Sequence, residues 1–418
     1  MRVPILMAIF AFLFSILIDA YIYIDIKKSL KNHRRLASIY GFSSICLWIF
    51  LLVVLLIPRR EATQSIAFTM WALYSYSTVY ISKFIFVVFS LAGGIPKIWH
   101  RRSLKLGKYV GLPLAIICFI AMWWGALITR HNIDVVNVDI NSPKLPQAFN
   151  DYRMVQISDL HVGTWGNDTS FISRLVDSVN NQKPDVIFFT GDIVNRHTGE
   201  LEPFVKTLSR LHAPDGVWSI LGNHDYGDYI EWSSESEKEA NLNLLKHLQQ
   251  QMGWKMLNNQ SDILVRKGDT IRLIGVENWG EPPFHQYGKL KASYPSDSAN
   301  NTGLNDKNFK ILLSHNPEHW RQEVTNISNI DLTLSGHTHA MQTEIKVGNW
   351  KWSPAVFRYP LWGGLYLGQN KNGELLQLYI NIGAGEVGMP FRIGAVPEIT
   401  VITLHKEPIP YSLKPVNK

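Results

Sequence analysis

Hydrophobic positions fall along this 418-residue chain in two regimes that change near residue 130. Before it lie four almost uninterrupted apolar stretches, 4–24, 39–57, 66–92 and 109–129. Each is long enough, at ~1.5 Å of rise per residue, to cross a ~30 Å hydrocarbon core, which predicts four transmembrane helices over residues 1–130. A cleaved leader would account for the first stretch and leave the other three unexplained. Beyond residue 130 the apolar runs shorten: Asp134–Ile140, Met154–Ser158, Val186–Thr190, Val217–Leu221, Ile271–Val276, Ile311–Ser314, Leu332–Ser335, Gln377–Asn381 and Ile399–Leu404. These predict buried strands. Segments 170–181, 201–211, 238–251 and 317–325 carry helical periodicity, so residues 131–418 read as one α/β domain of stacked sheets covered by helices. Segment 278–309, rich in Gly, Pro, Asn and Ser, shows no period and reads as an irregular, lid-like insertion.

Charge sharpens the division. Residues 1–130 hold three acidic residues, Asp19, Asp25 and Glu61, against fifteen Lys and Arg; the remainder holds 31 acidic and 26 basic. The excess positive charge therefore sits in short loops beside apolar segments, not in a stripe on the α/β domain, and no nucleic-acid partner is expected. Loop 25–38 carries Lys27, Lys28, Lys31, Arg34 and Arg35, and loop 95–108 carries Lys97, Arg101, Arg102, Lys105 and Lys108, whereas the loop between them has Arg59 and Arg60 beside Glu61. The positive-inside bias puts the two richer loops in the cytoplasm and everything after Arg130 on the extracytoplasmic side. Asp19 and Lys83 lie within apolar segments, where pairing or placement near the interface explains them without a transport role. The only cysteines, Cys46 and Cys118, also lie there, which excludes a disulfide framework or a thiolate metal site in the α/β domain.

The chemistry falls at the carboxyl ends of the predicted strands, where open α/β sheets bind ligands. The first such run ends in Ser158-Asp159-Leu160-His161, whose i, i+2 spacing points Asp159 and His161 the same way. The next two lead into Gly191-Asp192-Ile193-Val194-Asn195 and Gly222-Asn223-His224-Asp225. Two later ones end in Ser314-His315-Asn316-Pro317 and Ser335-Gly336-His337-Thr338-His339. Seven oxygen and nitrogen donors, Asp159, His161, Asp192, Asn223, His315, His337 and His339, are thus available to metal. Carboxylate mixed with imidazole and lacking thiolate suits Mn, Fe or Zn.

Those five blocks, in that order over about residues 150–405, resemble the calcineurin-like metallophosphoesterase superfamily. The resemblance implies a β-sandwich flanked by helices, holding two divalent metal ions that share a carboxylate, here Asp192. It implies that Asp159, His161 and His339 complete one metal site, that Asn223, His315 and His337 complete the other, and that His224 is the catalytic acid. Asp225 looks like a residue that orients the histidine. Three further runs, Tyr359–Tyr366, Asn381–Gly385 and Pro390–Gly394, with a closing Pro397-Glu398-Ile399-Thr400 strand, resemble a membrane-associated phosphodiesterase branch.

The expected activity is therefore metal-dependent hydrolysis of a phosphodiester or pyrophosphate, on a phospholipid or lipid-linked phosphate at the surface of the bilayer. A phosphomonoesterase of soluble extracytoplasmic phosphates, or a membrane receptor that has lost catalysis, are the alternatives. Some members of the wider group resemble UDP-2,3-diacylglucosamine pyrophosphatases; that substrate is made on the cytoplasmic face, which the predicted topology opposes, and Ala340-Met341 stands where the branch often has glycines. Of the remaining histidines, His285, beside Trp279 and Phe284, is the one in a position to touch substrate. His131, His197, His212, His247, His319 and His405 read as core or surface residues.

Overall fold

The computed structural model describes residues 5–29, 34–57, 66–95, 106–282, 285–294, 303, 306–348 and 350–409. Lys31, Arg59, Arg60, Glu61, Lys97, Arg101, Arg102 and Lys105, which carried much of the orientation argument, and Phe284 lie outside the described residues. The chain divides into two compact units, Met1–Thr129 with Gly388–Ile393, and Arg130–Val387 with Gly394–Lys418.

The first unit contains α1 (Ile5–Ser29), α2 (Arg34–Leu56), α3 (Ile66–Ala92) and α4 (Leu106–Leu127). All four are long and apolar enough to span a bilayer. Leu6, Phe10, Leu17, Phe42, Leu56, Phe68 and Ile117 are more than half exposed, as suits helices that are apolar on every face and solvated by lipid. Between lipid-facing helices there is little hydrophobic drive, so close packing and polar contacts hold the bundle. Gly111 of α4 shows the packing: a Cβ there would stand 2.8 Å from Phe89 Cβ of α3. Asp19 of α1 supplies the polar contact, accepting from Tyr40 of α2 and from Tyr80 (2.6 Å) and Lys83 (2.7 Å) of α3. The two intramembrane charges are therefore one interhelical ion pair. Lys83→Met should leave a buried carboxylate without its cation and lower stability by about 2–3 kcal/mol. Asp19→Leu/Lys83→Met should recover most of that loss, and thermal unfolding in detergent reads both. Gly388–Ile393 packs among these helices, with Phe391 stacked on Tyr74 at 5.4 Å.

The second unit is a sandwich of two six-stranded sheets. Its strands are β1 (Asp134–Asn141), β2 (Tyr152–Ile157), β3 (Val186–Phe189), β4 (Val217–Ser219), β5 (Trp254–Met256), β6 (Gln260–Arg266), β7 (Asp269–Gly275), β8 (Lys310–Leu313), β9 (Leu332–Ser335), β10 (Ile345–Val347), β11 (Trp350–Trp352), β12 (Gly364–Gln369), β13 (Leu375–Ile380) and β14 (Glu398–His405). One sheet runs β1-β14-β2-β3-β4-β5, the other β12-β13-β9-β8-β7-β6, and β10-β11 is a separate hairpin. Strand alternation builds the layers. Met154, Val186, Phe188, Ile311, Leu313, Leu332 and Leu334 face inward between the sheets. Val155, Ile157, Ile187 and Phe189 face outward under α5 (Ser170–Asn181) and α6 (Glu235–Gln251), which present Leu175, Val176, Val179 and Leu245. Ser234 caps α6 by accepting from Glu237 N. Outside the second sheet, Leu312, Leu376 and Leu378 meet Trp320 and Val324.

Two predicted helices are interrupted. In 201–211 Leu201, Phe204, Leu208 and Leu211 are buried at helical spacing, but the segment forms a 3-10 turn, Glu202–Phe204, and one α turn, Val205–Leu208, with Pro203 in the opening turn, where its missing N–H costs no helical bond. Over 317–325 the backbone widens into a π turn, Trp320–Val324, before Thr325–Ile327.

Candidate metal centre

Strands β2, β3 and β4 lie side by side and parallel, so their carboxyl ends open on one edge of the first sheet. They feed the loops bearing Asp159 and His161, Asp192, and Asn223 and His224. In the second sheet parallel β8 and β9 end in His315 and in His337 and His339. Backbone bonds stitch the loops together: Asp159 N to Gly191 O (2.9 Å), His161 N to Asp192 O (3.2 Å) and Gly336 N to His315 O (3.0 Å). Buried Gln156 joins the sheets by donating to Ser335 O at 2.8 Å. Gly336 admits this approach, since a Cβ there would collide with the Asp159 carboxylate.

The loop backbones are held in an uncommon conformation. Asp159, His161, Asp192, His337 and His339 have φ of 54°, 42°, 61°, 74° and 51°. Such conformations cost of order 1–3 kcal/mol each for a residue with a Cβ, and cluster where function needs them.

Their side chains converge. Asp159 Oδ1 lies 3.1 Å from His339 Nε2, which lies 3.1 Å from His161 Nε2. Asp192 Oδ2 lies 3.1 Å from His315 Nε2 and 3.6 Å from His161 Nε2, and His315 Nε2 is 3.2 Å from His337 Nδ1. Asp159, His161, Asp192, His315 and His339 are buried; His224 and His337 are half-buried and leave the cluster open to solvent. Two triads, Asp159-His161-His339 and Asp192-His315-His337, each bring ligand atoms close enough to hold a cation, and His224 approaches a third with His161 and Asp192.

The donor chemistry fits metal. His161 and His315 direct Nδ1 at the Val194 and Thr190 carbonyls, 3.1 and 2.7 Å away, which selects the tautomer whose Nε2 lone pair points into the cluster. Inward lone pairs, two carboxylates and the buried, unbonded Asn223 Oδ1 make a concave set of acceptors that a cation satisfies. Electrostatics in the metal-free state reflect the crowding. Burial pulls the His315 imidazole down, but the Asp192 carboxylate outweighs it and raises the group to about 9. Burial, then the neighbouring His315 charge, lowers His337 to about 3. Asp159 is held below the usual carboxylate range: burial opposes ionisation, and His339 overcomes it.

Several partners were not assigned from sequence. Asp225 does not orient the histidine; it accepts from Gly222 N, Asp192 N and Ile193 N, each at 2.9 Å, and so ties the β3 and β4 loops together. Burial and the adjacent Asp192 raise its carboxyl to about 7. His224 is instead oriented by Asn195 O, 2.6 Å from Nδ1, and by stacking on Tyr229 at 4.2 Å. Tyr229 also receives the Asn223 amide at 2.7 Å, and Tyr359 Oη lies 3.0 Å from His337 Nε2. Asn195 and Tyr359 stood inside recognised blocks without a role, whereas nothing in the pattern marks Tyr229. His285 is exposed, and its ring contact is Tyr287 at 5.8 Å.

Residues 152–341 match the calcineurin-like phosphoesterase domain, and residues 1–130 match the transmembrane domain of probable calcineurin-like phosphoesterases. The chain belongs to the calcineurin-like metallophosphoesterases. It is a phosphoester hydrolase of a family that uses divalent metals, for which the clusters above are the candidate site, and its membrane domain makes it an integral membrane protein. An uncharacterized metallophosphoesterase of Campylobacter jejuni is 25% identical over 93% of this metallophosphoesterase and 95% of its own length. A transmembrane protein with metallophosphoesterase domain from Danio rerio is 28% identical over 77% of this chain and 70% of its own. The UDP-2,3-diacylglucosamine pyrophosphatase LpxG of Chlamydia trachomatis is 27% identical over 58% of this chain and 80% of its own.

Proposed function

We propose that this metallophosphoesterase hydrolyses a phosphodiester or pyrophosphate carried by a membrane lipid, with two metal ions held by Asp159, His161 and His339 on one side and by Asn223, His315 and His337 on the other, Asp192 serving both. The observation that carries the reading is Asp192, whose Oδ2 lies within 3.6 Å of one histidine from each set. When bound, a pair of divalent cations neutralises phosphate charge and lowers the pKa of attacking water. The chain's own residues do the rest. His161 and His315 are locked as acceptors by carbonyls, and His224 is fixed at Nδ1 by Asn195, so its other nitrogen is available to protonate the departing oxygen. Burial holds the His224 imidazole below its usual range, with Asp192 opposing it, and an arriving phosphate anion would act in the same direction as Asp192.

The lipid assignment draws on the four spans and on LpxG, a relative named for a lipid-linked diphosphate. The charged loops favour an extracytoplasmic catalytic domain, and a reporter fused after residue 409 tests this directly. A cytoplasmic reporter would move the substrate toward a nucleotide-linked lipid; an extracytoplasmic one keeps a lipid phosphate of the outer surface. Activity is tested with purified full-length protein on paired chromogenic mono- and diesters with Mn or chelator. Diester turnover that chelator abolishes is expected, and a preference for the monoester would overturn the assignment. Asp225→Asn should replace an acceptor of loop N–H groups by a donor and lower apparent Mn affinity about 10–100-fold, read from an activation titration.

A further inference from the structure

Between the last metal-site histidine and Tyr359 the chain forms an apolar surface that its own fold leaves uncovered. In the β10–β11 hairpin Ile345 pairs with Trp352, Lys346 with Lys351 and Val347 with Trp350. Residues directly opposite share a face and successive residues alternate, so one face carries Ile345, Val347, Trp350 and Trp352 and the other carries both lysines. Neither six-stranded sheet takes the hairpin as a neighbour. Ile345 is 47% exposed, Trp350 56%, Val347 67% and Phe357, on the following turn, 83%. Trp352 meets Phe357 edge to face at 6.2 Å, which joins hairpin and turn into one patch.

Exposed apolar patches of this kind mark interaction surfaces. Two features choose the partner. The surroundings are basic, with Lys346 and Lys351 on the hairpin's other face and Arg358 at the end of the turn; Lys351 lies 3.8 Å from Glu344 and Arg358 3.3 Å from Glu281. Trp beside Lys and Arg is the composition that settles at the headgroup level of an anionic bilayer. The four spans also tether the chain to a bilayer, so lipid is present at high effective concentration. Met341, 42% exposed, lies two residues beyond His339, and Tyr359, which contacts His337, lies two beyond Phe357.

We propose that the β10–β11 hairpin and the Pro354–Arg358 turn insert into the headgroup region of an anionic phospholipid bilayer and bring the metal centre to the level of lipid phosphates. The link to substrate rests on the lipid-phosphate reading above; insertion itself does not. The test uses full-length protein carrying Cys46→Ser and Cys118→Ser, with a nitroxide attached through Phe357→Cys or, as an exposed control, Lys371→Cys. Reconstitution is into phosphatidylcholine vesicles containing phosphatidylglycerol, and a metal-induced thermal shift verifies folding. The ratio of oxygen to nickel-complex collision at 357 should exceed that at 371 about tenfold or more, because oxygen concentrates in hydrocarbon and the nickel complex in water. Equal ratios at the two positions would overturn the proposal. Lipid-phosphate turnover is scored separately: insertion without turnover removes the substrate reading and keeps this surface, and turnover without insertion does the reverse.

Discussion

Asp192→Asn should reduce kcat on a phosphodiester by about 10³-fold or more while the protein stays folded. One oxygen of this carboxylate faces His315 at 3.1 Å and His161 at 3.6 Å, and the other accepts the His224 backbone N–H at 2.8 Å. Asparagine preserves the shape and can still accept that N–H, but it removes the negative charge that both proposed cations share. The metal-free protein should lose stability as well: burial opposes ionisation of Asp192, but the His315 charge 3.1 Å away overcomes it and holds the carboxyl well below the usual carboxylate range, so a neutral amide removes that ion pair and the metal-free melting temperature at neutral pH should fall. Stabilisation by metal disappears too, which for the parent protein amounts to about 2.7 kcal/mol at a hundred times Kd. Thermal unfolding with and without Mn, together with diester turnover, reads both effects. An Asp192→Asn protein with parental turnover would remove Asp192 from the chemistry and with it the shared-carboxylate site.

How the site could be read before the structure, and where that reading stopped, follows from the range of the interactions. Strand-terminal Asp159, Asp192 and His315 are legible together, not singly, because metal-binding side chains recur in a fixed order directly after buried apolar runs, and β2, β3, β8 and β9 are such runs. The sandwich follows from the same runs. Strands β6 and β12 do not, since β6 is largely exposed at a sheet edge and β12 is interrupted by Gly368, against which the Trp320 ring lies. The hairpin β10–β11 has the alternation of an amphipathic strand pair but only three residues a side, too few to signal. Asp225 was misread because two of its partners, Asp192 N and Ile193 N, are backbone groups brought in by another loop, and a hydrogen bond across 33 residues leaves no local pattern. Tyr229 escaped although its partners Asn223 and His224 are local, because it stands outside the Gly-Asn-His-Asp block and only the fold of the loop turns its ring back onto them. The pairing of Asp19 with Lys83 was legible as a possibility, because two charges in apolar helices need each other, but the Tyr40 and Tyr80 hydroxyls that complete the carboxylate's shell come from helix rotation that no sequence period specifies.

His224→Gln should separate acid catalysis from metal binding. If the imidazole delivers a proton to the departing oxygen, its loss costs about 10²–10⁴-fold when that oxygen belongs to an aliphatic alcohol. The cost should be far smaller when the leaving group is nitrophenolate, which departs as a stable anion without help. The geometry supports a proton donor over a ligand: Nδ1 is committed to Asn195 O at 2.6 Å, the ring is sandwiched by stacking on Tyr229 and an edge contact to His161 at 4.8 Å, and the residue is half-buried, open to an arriving substrate. Glutamine retains a polar amide of similar reach, so Mn activation should keep its midpoint. The measurement is kcat/KM across a series of diesters graded by leaving-group acidity, for parent and variant, each titrated with Mn. A variant line steeper than the parent's, with the Mn midpoint unmoved, is the signature of a lost acid. Parallel lines with a weakened Mn midpoint would make His224 a metal ligand instead, joined to His161 and Asp192 in the third cluster the structure brings together.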